Sequence, residues 1–147
     1  IGQLLEDIVE RFKFQAVDQG IELIGPERPD LLPDVFANPD RIEQVLVILI
    51  DNALKYTPAG GKVSIEAEWD SRQIRISVID TGVGIDLQDL DHVFDRFYKA
   101  DKSHQQPGTG LGLAIAREIL QRMDQKITVK SNPGNGSIFT FTLESAR

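Results

Sequence analysis

Asn52, Lys55 and Tyr56 stand at i, i+3 and i+4 of one apolar-periodic stretch, so a helix there projects them from a single face. A carboxamide oxygen can coordinate a hard cation, an ammonium can meet phosphate, and an aromatic ring can stack on a base. The same three residues also fit the solvated end of an ordinary helix. Asp80-Thr81-Gly82-Val83-Gly84-Ile85 follows an alternating segment. Its glycines would let backbone approach a planar ligand, and a carboxylate at a strand end can accept from an exocyclic amine. A plain turn leaving a strand explains the hexapeptide equally well. Gly108-Thr109-Gly110-Leu111-Gly112-Leu113 opens a helical pattern, where free N–H groups and absent side chains favour a phosphate.

The glycine spacing is GxGxG, preceded by a polar loop and followed by no suitably placed acid, which argues against a dinucleotide fold. No GxxxxGK[ST] occurs, which excludes a Walker phosphate loop. His92 and His104 are too isolated to form a metal pair, and no spacing suggests a Ser-His-acid triad. With no cysteine, disulfides and thiolate metal sites are impossible. Sixteen Lys and Arg against 23 Asp and Glu give a net charge of −7, which speaks against a broad nucleic-acid-binding face. It leaves room for one small polyanion held by converging cations and backbone N–H groups.

These residues need a scaffold, and the 147-residue chain suits one domain, 1–147. Leu4, Leu5, Ile8, Val9, Phe12 and Ala16 mark a helix that Gly20 ends. Ile21–Ile24 reads as a short strand, Gly25–Asp34 as a Pro-broken loop, and Val35–Ala37 as a second short strand. Asn38-Pro39-Asp40 signals a helix start, with a capping side chain, Pro at the first position and an acid in the first turn. That helix is expected to reach about Lys55 and stop before Pro58. Alternation over Val63–Trp69 and Ile74–Val78 around Asp70-Ser71-Arg72 predicts a hairpin. One or two short helices are expected over Leu87–Tyr98, with Phe94, Phe97 and Tyr98 as packing anchors. A loop is expected over Lys99–Thr109, a helix over Gly110–Met123, and a second hairpin joining Ile127–Val129 to Ile138–Leu143. The order implies an α+β fold, a two-layer sandwich with helices on one face of a mixed, mainly antiparallel sheet. The longest apolar run, Val45–Ile50, is too short to span a bilayer and reads as core. The chain opens inside a helical pattern without an initiator Met, so it is expected to be a piece of a longer protein.

Taken in order, these pieces resemble the catalytic ATP-binding domain of sensor histidine kinases, within the Bergerat-fold ATPases that include gyrase, the 90-kDa heat-shock chaperone and mismatch-repair ATPases. The Asn box runs from Asp40 to Pro58, and the first glycine box is Asp80–Ile85. The phenylalanine box is Val93–Tyr98 and the second glycine box Gly108–Ala114. Gly134-Asn135-Gly136-Ser137 precedes the last strand.

The resemblance implies roles position by position. Asn52 would hold Mg²⁺ and, with Lys55 on phosphate, serve catalysis, while Tyr56 would pack on adenine. Asp80 would take the adenine amine, with Gly82 and Gly84 shaping the pocket. Residues 99–109 would form an ATP lid. Gly108, Thr109, Gly110, Leu111 and Gly112 would lie at the phosphates, with Arg96 and Lys102 reaching toward them and Ser137 near the base. The implied activity is transfer of the γ-phosphoryl group of ATP to a histidine on a separate dimerisation and phospho-acceptor domain, which would be the partner along with a downstream response regulator. The implied location is the cytoplasm, whether or not the intact protein is anchored to a membrane, with neither nucleic acid nor direct membrane contact for this piece. The phospho-acceptor motif itself is absent. A non-catalytic nucleotide-sensing module is the alternative; a serine kinase of anti-sigma type is a third option that Phe94–Tyr98 argues against.

Three departures stand out. Ile48 replaces the second Asn usual in the kinases and the Glu of the hydrolytic relatives, so little intrinsic ATP hydrolysis is expected. Pro107 replaces a glycine before the second glycine box, and Met123-Asp124-Gln125 replaces His-Gly-Gly after the last helix.

Overall fold

The computed structural model describes residues 1–98 and 110–146. Helix α1 (Gly2–Asp18) is followed by β1 (Glu22–Ile24), a 3-10 turn at Pro29–Leu31 and β2 (Val35–Phe36). Then come α2 (Pro39–Tyr56), β3 (Lys62–Trp69), β4 (Gln73–Asp80), α3 (Leu87–Leu90), α4 (Gly112–Gln121), β5 (Ile127–Ser131) and β6 (Ser137–Ser145). Among the described residues the six strands form one sheet in the order β1-β3-β4-β6-β2, with β5 also on β6. Only the β1–β3 pair is parallel; the other pairs are antiparallel.

Local chemistry sets the element ends. Gly20 takes φ +75°, and the N–H groups of Gly20 and Ile21 close on the carbonyls of Val17 and Ala16 at 3.0 and 2.8 Å, which stops α1. Asn38 caps α2 by accepting from the Asp40 N–H at 2.9 Å, with Pro39 in the first turn. At its other end Thr57 donates its hydroxyl back to the Ala53 carbonyl at 2.7 Å before Pro58. The first hairpin turns on Asp70, whose Oδ1 accepts from the N–H groups of Arg72 and Gln73 at 2.8 and 3.0 Å.

Helices α1, α2 and α4 cover one face of the sheet. Leu5, Ile8, Leu46, Leu49, Ile50 and Leu120 meet Ile65, Ile74, Ile76, Val78, Phe139 and Phe141 in one core. Each such side chain contributes about 1.5–3 kcal/mol on burial. The opposite face carries Arg75 beside Glu68 at 3.5 Å and a Ser77–Thr140 hydroxyl pair at 2.8 Å, so it can stay open to water. The sheet is therefore mixed and mainly antiparallel with its helices on one side, as expected.

Two elements depart from the expected bounds. The last helix begins at Gly112 because Gly110 sits at φ +77°, outside helical geometry, and it ends before Asp124, which takes φ +56°. The segment after Asp86 forms only the four-residue α3 before turns take over, and Phe97 adopts φ +64°. The expected loop and lid over 99–109, with Lys102, Gly108 and Thr109, lie outside the described residues.

Candidate functional site

Asp80 closes β4 with only 5% of its surface exposed. It pairs with Ser137 on β6, and Ser137 pairs with Ser131 on β5, so the three side chains form a row on the helix-covered face. Burial pushes the Asp80 carboxyl above its ordinary value, while the N–H groups of Gly82 and Ser137 pull it back. The Gly82 N–H lies 2.9 Å from Asp80 Oδ1. A buried carboxylate with so little compensation is held ready to accept from a ligand that donates.

The loop after Asp80 is fixed from three sides. Thr81 continues the pairing with β3, its N–H reaching the Lys62 carbonyl at 3.0 Å and its hydroxyl accepting from the Lys62 N–H at 2.9 Å. The Val83 N–H donates to the Tyr56 carbonyl at 3.2 Å, and the Val83 carbonyl accepts from Gly134 at 2.7 Å. The Ile85 N–H donates to Ser131 Oγ at 2.7 Å. Glycine is required here by contact. A Cβ on Gly82 would sit 2.3 Å from the Tyr56 carbonyl oxygen, one on Gly84 2.1 Å from that of Asn132, and one on Gly136 2.0 Å from that of Asp80. Thus Tyr56, Asp80, Gly82, Gly84 and Ser137, remote in sequence, converge at one end of the sheet.

The other half of the site is built on helices. Asn52, Lys55 and Tyr56 are half-buried on the last turns of α2. Ile48, one turn earlier, joins the core, and its Cγ2 would lie 3.4 Å from a Cβ on Gly112. Its apolar side chain therefore lies where α2 meets the start of α4. Leu111 stands at the N-cap of α4, and its own side chain supplies no cap bond. Gly110 accepts from the Phe97 N–H at 2.9 Å, and a Cβ on Gly110 would fall 2.7 Å from the Phe97 carbonyl carbon.

Arg96 is directed elsewhere. It lies 3.9 Å from Glu118 on α4, beside a cavity of about 280 Å³ that Phe94, Ala114 and Arg117 also line. Phe94 packs edge-on against Phe139, with ring centroids 6.1 Å apart, and anchors the segment to the core as expected, whereas Phe97, also expected to pack, is exposed because its positive φ turns it away from the core. Tyr98 donates its hydroxyl to the buried Asp89. His92 pairs with Asp95 at 3.0 Å. No group of three or more His, Cys, Asp or Glu able to hold a metal occurs among the described residues.

Sequence reasoning missed Ser131 and the Asp89–Tyr98 bond. The inward register of Ser131 in the second hairpin was a usable signal for the first; nothing local marked the second. Among the described residues no helix is long and apolar enough to cross a membrane.

The strand end that gathers Asp80, Ser137 and the glycines and the start of α4 belong to one sheet-and-helix scaffold, which known proteins share. Residues 37–147 match the family of histidine kinase-, DNA gyrase B- and HSP90-like ATPases, and the chain belongs to that family. It is 38% identical over 144 residues to the adaptive-response sensory kinase SasA of Synechococcus elongatus, covering 97% of this chain and 36% of the relative. It is 44% identical over 149 residues to the sensor histidine kinase WalK of Bacillus subtilis, covering 97% and 24%. The chain thus spans roughly a third or less of these relatives' length. Among solved structures, full-length ShkA in complex with AMPPNP superposes with a TM-score of 0.85 at 32% identity, covering 99% of this chain and 30% of that one.

Proposed function

We propose that this chain, residues 1–147, is the catalytic ATP-binding domain of a sensor histidine kinase, binding ATP with Mg²⁺ and transferring the γ-phosphoryl group to a histidine on a separate dimerisation and phospho-acceptor domain. The observation that carries the reading is the buried carboxylate of Asp80 at the strand end, in a row with Ser137 and walled by glycines whose missing side chains leave room only for backbone. A nearly buried acceptor at a strand end fits an exocyclic amine, as on adenine. The kinase names of the relatives and the ATP analogue on ShkA support the same reading.

In this reading Asp80 orients the base, Tyr56 packs on it, and Gly82 and Gly84 let the loop lie flat against it. Asn52 holds the metal by its carboxamide oxygen, and Lys55 meets phosphate, both half-buried where α2 ends. When bound, Mg²⁺ would neutralise phosphate charge during transfer. The donor set fits that ion sparsely: one neutral oxygen from the chain leaves most positions to phosphate and water, the usual habit of Mg²⁺. Gly110, Leu111 and Gly112, at the start of α4, would lie at the phosphates; Gly108, Thr109 and Lys102, assigned to the same phosphates, lie outside the described residues. Arg96 reaches phosphate only by leaving Glu118. Ile48 lacks any basic atom, so water is left unactivated and the phosphoryl group is kept for the acceptor histidine.

The site would work in the cytoplasm, with a response regulator taking the phosphate onward. The test is transfer of labelled phosphate from ATP, with Mg²⁺, to a supplied acceptor domain carrying its histidine. Labelling of that histidine is expected, with slow hydrolysis in its absence. ATP binding with no transfer to a docked acceptor would instead identify a nucleotide-sensing module.

A further inference from the structure

We propose that Ser131, which stands two strands away from Asp80 with Ser137 between them, sets the hydrogen-bonding polarity of the base-facing row and so selects a purine bearing an amine over one bearing a carbonyl at the same position. The proposal rests on the reading of Asp80 as the group that faces the base.

Ser131 Oγ has three neighbours: the Ile85 N–H at 2.7 Å, the Gly136 carbonyl at 2.7 Å and Ser137 Oγ at 2.9 Å. A serine hydroxyl offers one proton and two lone pairs. A carbonyl cannot donate, so the Ser131 proton is committed to Gly136. The Ile85 N–H occupies one lone pair. What remains on Ser131 is one acceptor position, and Ser137 must supply the proton for it. The Ser137 hydroxyl is thereby turned away from Asp80 and left with lone pairs alone. Ser137 is 6% exposed, so little water competes to reorient it.

The row Asp80–Ser137 consequently presents acceptors only, with Asp80 Oδ1 already engaged by Gly82. A ligand amine, or a water that donates, satisfies such a floor. A ligand carbonyl meets two acceptors and leaves them buried without a partner, the situation in which polar sites discriminate most strongly. Removing the Ser131 hydroxyl frees the Ser137 proton to turn into the cleft and gives the floor a donor. Ser131 is a positioning residue, acting through Ser137.

The test compares ATP with inosine triphosphate, which carries the same phosphates and a carbonyl in place of the amine, by calorimetry on the whole chain. Ser131→Ala should reduce the preference for ATP about three- to tenfold, the effect of one neutral hydrogen bond. Ser131→Thr, which keeps the hydroxyl, should restore it. In a Ser137→Ala background, Ser131→Ala should cause no further change in the ratio. Equal loss of both affinities with an unchanged ratio would overturn the proposal, as would the same drop in the Ser137→Ala background. A wild-type chain that binds neither nucleotide would overturn the underlying base-site reading instead.

Discussion

The two ends of the candidate site are built in different ways. The strand end is held by hydrogen bonds among Asp80, Thr81, Val83, Ile85, Ser131, Gly134, Gly136 and Ser137, and three glycines in it admit no side chain. The helix end depends on side chains half-exposed along α2 and on the first turn of α4, whose N-cap Leu111 supplies no side-chain cap bond. One end is organised by backbone hydrogen bonds and tight glycine contacts; the other rests on half-buried side chains of α2 and on the first turn of α4. In a nucleotide site this division makes base recognition rigid and leaves phosphate handling adjustable.

The largest effect expected is structural. Gly136→Ala places a methyl 2.0 Å from the Asp80 carbonyl oxygen at a φ of +78°. It should cost about 3 kcal/mol, or roughly 6–12 °C in Tm. A melt within 2 °C of wild type would show that the strand end yields more readily than its packing implies.

Asp80→Asn should lower ATP affinity about a hundredfold while leaving the fold intact, the upper range for a bond to a charged acceptor. Unchanged affinity by calorimetry would remove Asp80 from the base. The same substitution reports on pH. Because burial raises the folded carboxyl above 3.8, the native chain holds this proton more tightly than the unfolded one. Asp80 therefore costs stability as pH rises from about 3.8 through its raised value, and nothing further above it. The stability difference between wild type and Asp80→Asn should shift against wild type across that window in denaturant titrations at stepped pH. A flat difference would mean that Asp80 is not desolvated.

At the helix end, Asn52→Ala should weaken ATP binding about tenfold with Mg²⁺ and much less without it, since one neutral metal ligand is lost. Equal losses in both conditions would take Asn52 away from the metal. The smallest effect is expected for Arg96→Ala. Its pair with Glu118 is exposed and 3.9 Å long, so stability should change by less than about 0.5 kcal/mol. A larger fall in chemical denaturation would show that the phenylalanine segment relies on this contact.

The legibility of the two ends followed the same division. Asn52, Lys55 and Tyr56 could be placed from spacing alone, because helical geometry fixes i, i+3 and i+4 wherever the helix lies. Asn38-Pro39-Asp40 predicted the start of α2 for the same local reason. The first hairpin followed from alternation, and its turn was marked by Asp70. Ser131 was not legible as a node. Its partners lie 5, 6 and 46 residues away, and only the register of β5 on β6 and the return of the loop at Ile85 unite them. That Arg96 lies beside Glu118 was not legible either, because the neighbour available to a long exposed side chain depends on tertiary packing.

The sequence by itself determined the element order, the glycines that strained turns require, and the residue types able to meet base, metal and phosphate. Those properties arise from backbone sterics and periodicity, which act within a few residues. Tertiary structure decided that Asp80 is buried, that its neighbours in the sheet are Ser137 and then Ser131, and that Ile48 packs where α2 meets α4. Burial and hydrogen-bond polarity depend on what the rest of the chain brings alongside, and that is fixed only when strand register and helix packing are fixed together.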